Sequence, residues 1–210
     1  MAEIILATHN IHKARELKTL LSDLDVNVLT LDDISTEIVL REDSDTFEAN
    51  AFQKASIVHN HTKLLSLADD SGLEVFYLNS RPGVFSARYA GADATDEMNN
   101  RKLLEEMRGV PPRRRRAQFR SVLALVGDGM KDMTVGICPG TLGETPCGTN
   151  GFGYDPIFIP DGFDKTYAEL TAEEKNLISH RARSFAKMKE VIKSKLLPLV
   201  LDKRSHFLTK

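Results

Sequence analysis

Cysteine is scarce in this 210-residue chain: only Cys138 and Cys147 occur. That excludes a disulfide framework, and neither has His or Cys companions at zinc-site spacing. Neither sign of charge dominates, since 28 Lys+Arg against 30 Asp+Glu leave a formal net charge of -2. Overall electrostatics therefore give no argument for a nucleic-acid or membrane partner. Long apolar runs are missing too. The longest aliphatic stretch, Leu196 to Leu201, contains Pro198 and is far below membrane-spanning length. Met1 to Ala7 is too short for a signal peptide and lacks its basic flank. The expectation is a cytoplasmic protein. No repeat, low-complexity tract or long linker divides it.

What is present is an ordinary globular composition, 41% hydrophobic and 28% charged, enough for one sizeable domain. Glu3 to Thr8 reads as a buried strand, followed by a helix capped by Asn10 with Leu17, Leu20, Leu21 and Leu24 at helical spacing. Val26 to Leu31 resembles a second strand. Thr46 to Asn60 reads as a helix on which Asn50 and Lys54 stand one turn apart and point to one place. Leu65 to Ala68 and Leu73 to Leu78 read as strands flanking an Asp-Ser-Gly turn. Thr95 opens a helix to about Met107, and Ala117 to Gly127 is a long strand. Strand-like pieces follow at Met133 to Cys138 and Gly140 to Thr145. Thr171 with Glu174 has the form of a capping box. Beyond it, Ile178, Ala182, Phe185, Met188, Ile192 and Leu196 trace one face of a terminal helix. Interleaved strands and helices define an α/β class with a twisted mixed sheet.

Four separated segments carry chemistry. In Ala7 to Lys13, a strand, a polar turn and a helix start place backbone N–H groups where phosphate oxygens bind. Lys13 opposes the helix dipole there and so wants an anionic partner. The spacing is not that of a Walker loop. Asp69-Asp70-Ser71-Gly72 sets two carboxylates beside apolar Leu65, Leu67 and Ala68. Such groups are paired or bound to a metal, and hard oxygen ligands suit Mg²⁺. One alternative is an Asx-turn, but a turn needs a single aspartate. In Gly151 to Pro156, glycines flank Phe152, which offers a stacking surface; a bulged turn with a core phenylalanine is the alternative. Lys175, His180 and Arg181 could neutralise phosphates and present donors to a base edge, or lie on a solvated helix face. Arg113 to Arg116 is too short a run, and too poor in aromatics, to indicate nucleic-acid binding.

With these segments in view, the chain resembles the noncanonical purine nucleoside triphosphate pyrophosphatases, also called the inosine triphosphate or dITP/XTP pyrophosphatase family. The likeness runs from about Ile4 to Lys187 and includes ATHNIHK, TFEANAFQKA, ADDSGLEV, RPGVFSARYAG, GFGYDPIF and AELTAEEKNLISHRA in order. The resemblance implies an elongated α/β fold of two lobes, over residues 1–202, with a central cleft and a tail over 203–210. It also implies Mg²⁺ dependence, a homodimer, and hydrolysis of ITP, dITP and XTP to the monophosphate and pyrophosphate. On that likeness Thr8, His9, Asn10, Ile11, His12 and Lys13 form the phosphate loop, joined by Lys54 and Lys175. Asp70 acts as general base or metal ligand, with Glu42 and Asp69 helping to hold Mg²⁺. Ser71 touches substrate, Phe152 stacks on the purine, and Gly153, Tyr154, Asp155, His180 and Arg181 complete the nucleoside pocket.

Two positions depart from the family's pattern. His9 stands where many relatives carry glycine or asparagine, and is expected to narrow the phosphate loop or add a contact of its own. Ala49 replaces a frequent glutamate, leaving Glu48 as the neighbouring carboxylate able to stand in for it.

Overall fold

The computed structural model describes residues 2–34 and 37–205. Among them are strands β1 (Ala2–Leu6), β2 (Val26–Thr30), β3 (Leu65–Val75), β4 (Arg81–Pro82), β5 (Arg116–Gly127), β6 (Met130–Leu142) and β7 (Phe158–Pro160). The helices are α1 (Ile11–Leu21), α2 (Phe47–Thr62), α3 (Asp96–Glu106), α4 (Ala172–Ile178) and α5 (His180–Ser205). All strands join one mixed sheet in the order β2-β1-β3-β5-β6-β7, with β4 beside the far end of β3. β1 is parallel to both its neighbours, and the pairings from β3 through β7 are antiparallel.

Alternation along the strands divides the near half of the sheet between two cores. Ile4, Leu6, Leu67 and Leu123 pack with Leu17 and Leu21 of α1 and Phe185, Met188 and Ile192 of α5. On the other face Ile5, Ala68, Val122 and Ala124 meet Ala51, Ala55 and Val58 of α2. Beyond residue 72 of β3 a third core forms from Leu73, Val75, Leu103 of α3 and Met107 just after it, Phe119, Phe158 and Tyr167. Each fully buried leucine or isoleucine contributes about 1.5–3 kcal/mol. The acidic stretch of β3 lies where the three cores meet.

Three sequence-based expectations change. The Asp69–Gly72 turn does not exist: β3 runs unbroken, with Asp69 opposite Leu123, Asp70 opposite Val122, Ser71 opposite Ser121 and Gly72 opposite Arg120. Gly72 is there for room, because a Cβ would lie 2.4 Å from the Gly83 carbonyl and from Ser86 Oγ. The two expected pieces after Met133 are one strand, β6. Pro139 is tolerated in it because β7 pairs only from Gly140 onward, so Pro139 lies where β6 begins to be an edge. The terminal helix does not include Ile178. Ser179 is extended, with φ -66° and ψ 159°, and its Oγ accepts the Ala182 N–H at 3.1 Å, capping α5 as a new helix.

α5 continues to Ser205, so the expected tail starts inside it. Residues 206–210 and the Leu196 side chain lie outside the described residues. Among the described residues no helix is long and apolar enough to cross a membrane.

Candidate active site

Asp69 and Asp70 are neighbours on an extended strand, so their side chains leave opposite faces of the sheet. Asp69 goes to the α1/α5 side, where it is wholly buried. Its carboxylate receives Lys13 Nζ at 3.1 Å, Arg181 Nε at 3.2 Å, Ser71 Oγ at 2.9 Å and Ser121 Oγ at 2.7 Å. Burial would raise its pKa, yet the charges of Lys13 and Arg181 and the Ser121 hydrogen bond hold it far below the usual carboxylate range. The anionic partner that Lys13 needed is therefore Asp69.

Asp70 faces α2. Lys54 Nζ lies 3.2 Å from Oδ1 and Asn50 Nδ2 lies 3.2 Å from Oδ2, the convergence expected of residues one turn apart. Lys54 also binds Glu42 and donates to the Asp69 carbonyl at 2.8 Å. Burial pushes the Asp70 carboxyl up despite Lys54 and Lys13, and the charges of Glu42 and Asp69 add to this. Burial works the same way on Glu42, but Lys54 outweighs it and its pKa falls. Of the two carboxylates that Lys54 holds, Asp70 is thus the one whose pKa is raised. Arg88 reaches the same corner, donating to the Glu42 carbonyl at 3.0 Å.

A second group of ions stands beside Asp69. Glu16 of α1 bridges Lys175 at 3.0 Å and Arg181 at 2.9 Å, and Lys175 also meets Asp155 at 2.6 Å. Arg181 Nη2 donates to Ser71 Oγ at 2.7 Å. Both cations lie over Phe152, at 4.9 Å and 5.1 Å from its centroid. The His12 ring stacks on the same phenylalanine at 5.1 Å. Gly151 and Gly153 have φ of 77° and 63°, left-handed values that favour glycine. The Asp155 carboxylate accepts the Phe152 N–H at 2.9 Å.

The expected phosphate loop is partly closed on itself. Asn10 Oδ1 accepts the N–H groups of His12 at 3.0 Å and Lys13 at 3.1 Å, and Thr8 Oγ1 accepts that of Asn10 at 3.1 Å. His9 makes its own contact, with Nε2 at 2.9 Å from the Ile38 carbonyl. Ile11 is exposed.

Two expected pocket residues are set deeper. Tyr154 is buried and donates to the Ser86 carbonyl at 2.9 Å. His180 is 2% exposed and stacks on Phe119 at 4.6 Å. Burial and the charges of Arg181 and Lys175 push its pKa well down, leaving a neutral imidazole. Glu48, the stand-in carboxylate, pairs with Arg120 instead.

Sequence reasoning missed Glu16 and Ser121. Glu16 follows Lys13 by three residues and so shares its helix face, which was a usable signal. Ser121 gave none, because its role depends on the β3–β5 register.

The fold and this site define an α/β protein whose mixed sheet carries a buried carboxylate on each face, ringed by cations from distant segments. The chain belongs to the Ham1 family, whose model matches residues 4–191. The dITP/XTP pyrophosphatase of Clostridium perfringens is 44% identical over 200 residues, covering 92% of this chain and 98% of that one. That of Geobacter sulfurreducens is 46% identical over 191 residues, covering 90% and 96%. The solved HAM1 protein of Coxiella burnetii superposes with a TM-score of 0.84 at 40% identity, covering 92% of this chain and all of that one.

Proposed function

We propose that this chain hydrolyses the noncanonical purine nucleoside triphosphates ITP, dITP and XTP to the monophosphate and pyrophosphate, removing them from the nucleotide pool. The observation that carries the reading is the convergence of Lys13, Lys54 and Arg181 on Asp69 and Asp70 at the centre of β3, with Lys175 joined to Arg181 through Glu16. Relatives that share over 40% of their residues across nearly their whole length bear the dITP/XTP pyrophosphatase name.

The donor chemistry fits Mg²⁺ at Glu42 and Asp70, two oxygen-bearing side chains brought together on Lys54. Asp69, expected among the metal ligands, leaves the opposite face of β3 from Asp70 and is held there by Lys13, Arg181, Ser71 and Ser121. Bound there, Mg²⁺ would neutralise phosphate oxygens and lower the pKa of a coordinated water.

Asp70 orients the attacking water and takes its proton. The water oxygen bonds to the α-phosphorus as the bond to the leaving pyrophosphate breaks. Lys13 and Lys54 offset the charge that develops, and Thr8, Asn10 and Ser71 line the phosphate path. Lys175, Arg181 and Asp155 surround Phe152, which stacks on the base. The 6-keto oxygen of hypoxanthine or xanthine accepts where adenine presents a donor, and each buried group left unpaired costs about 1–3 kcal/mol. Donors around Arg181 therefore reject adenine.

A cytoplasmic location is supported by the exposed free thiol of Cys147. A homodimer is supported by Phe76, Tyr77 and Phe85, all exposed on the turns either side of β4; light scattering tests it. Pyrophosphate release from ITP, XTP, ATP, GTP and dUTP, with and without Mg²⁺, tests the activity. Equal turnover of ATP and ITP would refute it.

A further inference from the structure

α3 belongs to the far core through Leu103 and its C-cap Met107, yet two of its polar residues reach the glycine-rich loop. Asp96 Oδ2 accepts the Gly153 N–H at 2.6 Å. One turn later, Asn100 Nδ2 donates to the Gly153 carbonyl at 2.8 Å. The two peptides that flank the Gly153 Cα are thus each held by one hydrogen bond, both from one helix.

Among the described residues no other hydrogen bond joins α3 to this loop. Between them lies a cavity of about 950 Å³, lined by Asn100, Leu104, Pro111, Gly148, Gly151 and Pro156. Asn100 is 7% exposed, and its own Oδ1 has no partner among the described residues. Its side chain is therefore not oriented to satisfy itself; its one hydrogen bond is to Gly153. Gly153 is left-handed and directly follows Phe152, so its placement governs where the ring points.

We propose that Asp96 and Asn100 are positioning residues for Phe152, fixing the peptides on either side of Gly153 and so the plane of the ring. This rests on the reading that Phe152 stacks on the purine.

The chain has no tryptophan, so Phe152→Trp supplies a single indole whose fluorescence reports stacking. Inosine monophosphate is the probe, with ITP turnover measured in parallel. Asp96→Ala and Asp96→Asn both remove the charge from the first turn of α3, so any helix-dipole effect is common to both. Only asparagine keeps an oxygen for the Gly153 N–H. Asn100→Ala and Asp96→Ala should raise the KM for ITP about tenfold with kcat within about twofold, and Asp96→Asn should retain a near-native KM. In the Phe152→Trp background the first two should abolish the quench. Should Asn100→Ala unfold, shown by its thermal midpoint, the Asp96 pair carries the test. The proposal is overturned if Asp96→Asn behaves as Asp96→Ala, or if the quench survives Asn100→Ala. A Phe152→Trp enzyme that turns over ITP but is not quenched by the monophosphate overturns the stacking reading, and this proposal with it.

Discussion

Asp69 and Asp70 are adjacent in the chain, but one faces α1 and α5 and the other faces α2, so substituting each should have a different consequence. Asp69 is the buried counter-charge of Lys13 and Arg181. Its lowered pKa means its stabilising contribution is present above the unfolded-state value and lost only in strong acid. Asp69→Asn leaves both cations short of a partner and should cost about 3–5 kcal/mol in urea unfolding. Asp70 has a raised pKa, so its ionised form is a burden on the fold. Because Lys54 keeps Glu42 and the Asp69 carbonyl, Asp70→Asn should lower the urea midpoint less than Asp69→Asn while losing about 100-fold or more in pyrophosphate release. An Asp70→Asn protein with near-normal turnover would remove Asp70 from the chemistry.

Gly136 of β6 sits opposite Ser121, under the first turn of α5. A Cβ there would lie 2.0 Å from the His180 carbonyl and 2.3 Å from the Ser184 nitrogen. Both are backbone atoms, which cannot swing aside. Gly136→Ala should cost at least the usual overpacking penalty of about 1–3 kcal/mol. It should also raise the KM for ITP, because lifting α5 draws Arg181 from Asp69 and Ser71. Denaturant unfolding and steady-state kinetics check the two effects.

The α/β class, the helix on which Asn50 and Lys54 converge and the Thr171 capping box were legible because periodicity and cap chemistry are local. The course of β3 was not. Asp-Asp-Ser-Gly has turn composition, and only cations from α1, α2 and α5 make two buried carboxylates tolerable in mid-strand. Gly72 and Gly136 carried no usable signal either, since each answers to a backbone distant in sequence. The paired state of the cations was equally hidden. Sequence placed Lys175 and Arg181 near a site, but Glu16, which holds both, had been read only as part of a helix. Ser179 shows how one residue can mislead a periodic reading: the apolar spacing runs through it, while its hydroxyl starts a new helix.

His9 connects the phosphate loop to the Ile38 carbonyl, at the head of the segment that carries Glu42. Replacing it by glycine removes that tether without touching Asp70 or Lys54. His9→Gly should raise the Mg²⁺ concentration giving half-maximal turnover by about threefold to tenfold, since one lost hydrogen bond is worth about 0.5–1.5 kcal/mol. Turnover at saturating Mg²⁺ should stay within about twofold of the native rate. An unchanged Mg²⁺ titration would show that the tether does not order Glu42.

His180 gives the fold a pH dependence whose sign can be worked out. Buried beside Arg181 and Lys175, its imidazole binds a proton less readily in the folded than in the unfolded chain. Stability from this group is complete above the unfolded value of about 6.5 and falls as pH drops below it, by up to about 1.4 kcal/mol per pH unit. Asp69, Glu16 and Glu42 have lowered pKa values, so their own losses begin at lower pH, while Asp70 and Asp155 have raised ones and act in the opposite direction; the His180 contribution is therefore read as the difference from a His180 variant. Urea midpoints measured from about pH 8 to about pH 5 should decline for the native chain, with His180→Gln flatter through the upper part of that range. Parallel curves would mean that the proton taken up on unfolding goes elsewhere, and that the imidazole against Phe119 is not held neutral by its burial.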